Sequence, residues 1–162
     1  MTEQQTTLVT FYKGWQEYQG HLIKAIAPLS PEQLALRAAP HLRSIDELAI
    51  HIVRTRASWF HNAIGEGSDE TVPMLQWQAE GAPARTAAEL VEGLEATWRL
   101  IHTSLARWTP EDLARPFKRE RHGQEYTLTR QWIIWHLIEH DLHHGGELSF
   151  SLGMHNIAAP DL

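Results

Sequence analysis

The chain has 162 residues, 43% of them hydrophobic and 21% charged, the balance of one globular domain rather than of a disordered segment. Fourteen Lys+Arg against 20 Asp+Glu leave a formal net charge of −6, the wrong sign for a general nucleic-acid binder. No apolar run reaches the roughly 18 residues that a membrane span needs. Cysteine is absent, which excludes disulfides, thiolate metal ligands and a cysteine nucleophile, whereas 11 His and 7 Trp are many for this length. The opening MTEQQTTLVTF lacks a basic stretch followed by an apolar one, so it is no signal peptide and a cytoplasmic location is expected.

Leu8, Phe11, Tyr12, Trp15, Leu22 and Ile26 recur at helical spacing and predict a first helix from about Thr6 to Ala27. Ser30-Pro31-Glu32-Gln33 combines an N-cap hydroxyl, a proline at the first helical position and a capping-box glutamine, so a short helix opens there. Ser44 with Glu47 starts a second long segment, which carries Ile45, Leu48, Ile52, Trp59 and Ala63 to a stop at Gly65. Between Glu66 and Arg85 the helical pattern gives way to Gly67, Pro73, Gly81 and Pro83, a connection long enough for a crossover or a lid. Thr86 and Glu89 make another capping box, opening a third helix with Leu90, Leu94, Trp98, Ile101, Leu105 and Trp108 on one face. Thr109-Pro110 begins a further short turn, Arg115–Tyr126 reads as a charged loop, and a fourth helix runs from about Leu128 to Leu152. No segment alternates as a strand does. The expected fold is all-α: a four-helix bundle with a long crossover between helices 2 and 3 and short extra helices.

The dense constellation is on the fourth helix, from Trp135 to Glu147. At about 100° per residue, His136, His140 and His144 lie along one ridge, extended by Glu147. Ile133 and Leu137 share that side, so the ridge belongs partly to the interior. Two imidazoles one turn apart can converge on one ion, and bundles build metal sites from such interior pairs. His51 flanks the stripe of Leu48, Ile52 and Thr55 on the second helix and is the candidate third donor. His136-Leu137-Ile138-Glu139-His140 also fits H-x-x-E-H, the inverted zinc-protease signature, which needs a further carboxylate ligand and a cleft for extended peptide. The basic run Arg115–His122 offers a contact for an anion, interrupted by Glu120. Trp15, Trp59 and Trp98 fall on stripes expected to be buried. There is no nucleophile elbow, Walker loop or dinucleotide fingerprint.

Ser44-Ile45-Asp46-Glu47-Leu48-Ala49-Ile50-His51-Ile52, followed by His140-Asp141-Leu142-His143-His144-Gly145-Gly146-Glu147-Leu148, resembles the DinB/YfiT-like superfamily. Its members are bacterial four-helix bundles that hold a divalent metal on three histidines, one from the second helix and two from an H-x-x-x-H motif on the last. The resemblance implies one domain over 1–162 with His51, His140 and His144 as ligands. It leaves His136, His143 and Glu147 to hold a ligand imidazole or to line the pocket, with His136 the main competitor for a ligand place. Gly145-Gly146-Glu147 stands where Arg-Gly-Gln is typical. The chemistry implied is transfer of a low-molecular-weight thiol to an electrophile, or hydrolysis or isomerisation of such a conjugate. The alternative is a non-catalytic metal or small-ligand binding module.

Three neutral imidazoles leave a divalent ion an open position, the arrangement of catalytic zinc sites, and they suit zinc and nickel alike. Glu139, Asp141 and Glu147 are near enough in sequence to orient a ligand histidine or to act as a base. A small-molecule substrate is the expected partner, without nucleic acid or membrane. Finally, Ile134, Trp135, Ile138 and Leu142 form a second apolar stripe roughly opposite the histidine ridge. A two-fold homodimer is the expected cover, with the short helices or the crossover as the alternative.

Overall fold

The structure, a computed structural model, describes residues 8–160; Thr6 and Thr7 of the first expected segment lie outside it. The first segment is divided by a turn at Tyr12 (φ −100°, ψ 19°) into α1 (Leu8–Phe11) and α2 (Lys13–Ile26). The turn leaves Phe11 74% exposed rather than on the buried stripe. The short helix α3 (Pro31–Leu34) and the long α4 (Ile45–Trp59) each start on the expected capping box. One π-helical turn, Phe60–Ile64, extends α4 to Gly65, which closes it at φ 73°, a left-handed conformation that glycine adopts without strain. The long α5 (Ala87–Arg107) and the short α6 (Pro110–Leu113) also begin on capping boxes, at Thr86 and Thr109. The chain closes with α7 (Arg130–Met154).

The expected loop at 115–126 is instead an antiparallel hairpin, β1 (Pro116–Arg121) and β2 (Gln124–Thr129). Its turn places His122 and Gly123 both at positive φ (54° and 74°), as a two-residue type I′ turn requires. Phe117 faces Leu128 and Arg119 faces Tyr126 across the ladder. These four side chains are half-buried, so period-2 alternation is present, with an arginine stem serving as an apolar residue.

The helices α2, α4, α5 and α7 form the bundle, with α4 packed on both α7 and α5 and α2 on α5. The core divides into two apolar clusters. One gathers Leu22 and Ile26, Leu48 and Ile52, Leu90 and Leu94, Leu148 and Leu152; the other gathers Trp15, Phe60, Ile101, Leu105, Ile133, Ile134 and Leu137. Both α4 and α5 run from the first cluster to the second, whereas α2 and α7 run the opposite way. Two consecutive parallel helices need a connection that returns the full length of the bundle, which explains the long crossover. The crossover is packed: 3₁₀ turns at Asp69–Thr71 and Pro73–Gln76 bury Thr71 and Met74, and Trp77 sits over Gly93 of α5. Glu66, at its start, accepts hydrogen bonds from Arg107 Nη2 and Trp108 Nε1 (2.5 and 3.0 Å) and pairs with the buried Arg130. Among the described residues no helix is long and apolar enough to cross a membrane.

Candidate metal centre

Antiparallel packing of α4 on α7 makes a seam with successive rungs. Trp59 meets His136, Arg56 meets Asp141, and His51 meets both His140 and His144. His140 and His144 share one side of α7 because they are one turn apart. Their rings lie 4.4 Å apart, and each is within 4.7 Å of the His51 ring. The nitrogen donors of the three histidines all fall within 4.8 Å of one another.

The outer edge of two rings is held by hydrogen bonds. Glu147 Oε2 accepts from His144 Nδ1 at 2.6 Å, and Gln78 Oε1, brought in by the crossover, accepts from His51 Nδ1 at 3.2 Å. With protons on both Nδ1 atoms, the Nε2 lone pairs are free to donate, the usual arrangement of a ligating histidine. His51 Nε2 lies 3.0 Å from His140 Nε2. Two imidazole nitrogens sharing an ion at about 2.0–2.1 Å sit roughly 3.0–3.4 Å apart, so the donor pair fits a first-row divalent metal. Burial, reinforced by the repulsion a proton on His140 would meet from neighbouring histidines and Arg56, pushes its pKa down to about 3. Burial likewise holds His51 below the ordinary imidazole value. Both rings are therefore neutral donors at physiological pH. His140 Nδ1 is buried and has no hydrogen-bond partner among the described residues, so the site is costly to assemble.

The other expected residues take different places. His136 stacks on Trp132 (5.0 Å between centroids) and meets Trp59 edge-on at 5.3 Å. Its ring is 6.2 Å from that of His140 and it is not in the three-histidine donor group. It forms a wall beside the centre, together with Trp132 and Trp59. Glu139 is exposed, 4.0 Å from His136, so the H-x-x-E-H residues do not converge on one point. His143 is exposed and lies 3.6 Å from Glu147. Asp141 points into the bundle, where Arg56 and Trp15 take both carboxylate oxygens, so it neither orients a ligand histidine directly nor serves as a base. Trp15 is buried as expected, whereas Trp59 and Trp98 are half-buried.

Several neighbours of the site carry no strong mark in the sequence. Trp132 lies one turn before His136 on the same ridge and was legible from that spacing alone. Gln78 was not, and Arg119 was marked only as one of the basic residues between Arg115 and His122. Arg119 is carried by the hairpin and its guanidinium sits 4.8 Å over the Trp59 ring.

Residues 1–153 match the model of the DinB family, and the chain belongs to that family. No curated protein matches significantly. Among solved structures, a DinB-like protein from Bacillus cereus shares the fold at 21% identity and a TM-score of 0.72, over 96% of this chain and 97% of that one. A conserved protein from Enterococcus faecalis does so at 13% identity and a TM-score of 0.67, over 91% and 99%. The family and the histidine cluster together are compatible with metal binding.

Proposed function

We propose that this DinB-family chain holds one divalent transition ion, zinc or nickel, on His51, His140 and His144. We propose further that it uses the ion in thiol-transferase-like or hydrolase-like chemistry on a small molecule. One observation carries the reading: imidazoles from two helices bring their donor nitrogens within 4.8 Å of one another. When bound, such an ion supplies Lewis acidity and draws the pKa of an adjacent thiol or water towards neutrality. The chain's own residues do the rest. Gln78 and Glu147 fix the tautomers of His51 and His144, and burial keeps His51 and His140 unprotonated. Trp132, 43% exposed, offers an indole beside His136 on which the apolar part of a substrate packs.

Elemental analysis of untagged protein tests the site. About one ion per chain is expected, as for any single three-histidine centre, and His140→Ala should abolish it. Metal-loaded protein should then accelerate addition of a small thiol to a simple electrophile relative to metal-free protein. A chain that takes up no metal refutes the reading, and a loaded chain without turnover reduces it to a binding module.

A further inference from the structure

Arg56 and Asp141 form an ion pair with no solvent exposure on either side chain, and neither belongs to the donor set. Arg56 Nε donates to Asp141 Oδ1 and Oδ2 at 3.2 and 3.0 Å, and Nη2 donates to Oδ2 at 2.6 Å. Trp15 Nε1 adds a 2.6 Å hydrogen bond to the same oxygen. Arg56 Nη1 donates to Gln19 Oε1 at 2.7 Å, and Gln19 Nε2 donates to the Leu94 carbonyl at 3.0 Å. The knot thus takes one partner or more from each of α2, α4, α5 and α7. Along α2, α4 and α7 its polar side chains fall between residues of the two apolar clusters, as a polar layer within the bundle.

A buried ion pair seldom gains net stability over well-packed apolar side chains of the same volume. What it does provide is discrimination. Any rotation or slip of α7 that parts Asp141 from Arg56 leaves two buried charges uncompensated. The helix needs that discrimination, because apolar residues surround much of it. Ile133, Ile134, Leu137, Leu148 and Leu152 are in the core, while Trp135, Leu142 and Phe150 are exposed. Apolar packing alone therefore separates one rotation from another poorly. The histidine rung cannot hold itself either, with three crowded imidazoles and an orphaned His140 Nδ1.

We propose that Arg56 and Asp141 are positioning residues of the metal centre. Their pairing locks the register of α7 against α4 that brings His140 and His144 to His51, so the donors are assembled before the ion arrives. The inference rests on the metal-binding reading above.

Cobalt(II), whose visible bands report coordination geometry, is the probe. Arg56→Met/Asp141→Leu replaces the pair with apolar side chains and should leave a folded bundle by circular dichroism. Its cobalt affinity should nevertheless fall by about 10- to 100-fold, the usual cost of losing support around metal ligands, with altered bands. Asp141→Asn keeps the volume, should shift affinity and bands in the same direction, and decides the matter if the double variant does not fold. Leu105→Ala, a cavity in the other cluster, should lower stability and leave cobalt affinity and bands as in the parent. Parent-like affinity and bands in the folded double variant, or in Asp141→Asn where the double variant fails, overturn the positioning role alone. A parent protein that takes up no cobalt overturns the metal reading, and this one with it.

Discussion

Two adjacent glycines on α7 should respond oppositely to the same substitution. A Cβ built on Gly146 meets no atom within 4 Å, whereas one on Gly145 collides with Tyr18 Oη, with Tyr18 Cζ at 2.9 Å and Leu22 Cδ2 at 3.1 Å. Alanine in a helix interior is favoured over glycine by about 1 kcal/mol, so Gly146→Ala should raise the melting temperature of the metal-free protein by roughly 2–4 °C. Gly145→Ala gains the same propensity but overpacks a core contact, at about 1–3 kcal/mol. Its net effect should run from neutral to about 2 kcal/mol destabilising. Tyr18→Phe removes the nearest colliding atom and should recover part of that loss, though Cζ remains too close for full recovery. Because Gly145 follows His144, the strained variant should also bind metal more weakly, while Gly146→Ala should not. Thermal unfolding of the four single and double variants, followed by circular dichroism, reads the cycle. Gly145→Ala as stable as Gly146→Ala, or no recovery with Tyr18→Phe, would show that the helices do not approach as closely as described.

Three further outcomes follow from the site and its surface. His140 binds its proton less readily when folded than the ordinary imidazole value of about 6.5, so the unfolded chain is the better proton acceptor below that value. Stability of the metal-free protein present above pH 6.5 should therefore decline as pH falls towards 3, and His140→Gln should flatten urea midpoints between about pH 6.5 and 5. An unchanged slope would contradict the burial of His140. Glu147→Gln weakens the hold on His144 Nδ1 and should reduce metal affinity by about 10- to 100-fold without changing helicity; unaltered affinity would remove Glu147 from the site. Of the second stripe on α7, Ile134 is in the core and Ile138 is half-buried against it, but Trp135 and Leu142 are 58% and 48% exposed and line one groove with Phe11. We propose that this face pairs two copies, so Trp135→Glu should convert a dimer into a folded monomer in sedimentation. A parent protein that is already monomeric would dismiss the pairing.

The helix starts were legible because their chemistry closes within four residues. Ser30 with Gln33, Ser44 with Glu47 and Thr86 with Glu89 each satisfy the first backbone donors whatever the remainder of the chain does. The crossover was legible for the converse reason, the loss of helical period over 66–85. The hairpin was missed although its mark was present. His122-Gly123 sits between two stretches of period-2 burial, but the apolar face of β1 is supplied partly by the stem of Arg119, which reads as charge in the sequence. The His140–His144 pair could be read from spacing on one helix, since a single turn fixes that geometry. His51 could be nominated but not joined to them, and Gln78 could not be named at all. Asp141 is the sharpest case. In the sequence it is an acid beside a histidine, equally suited to orient a ligand or to act as a base. Its partner Arg56 is 85 residues away, and only the antiparallel packing of α4 on α7 turns that carboxylate inward and takes it out of the chemistry. Interactions within a helical turn are dictated by the local sequence. Which side chains meet across helices depends on the rotation and register of whole helices, set by all the contacts between them, polar as well as apolar.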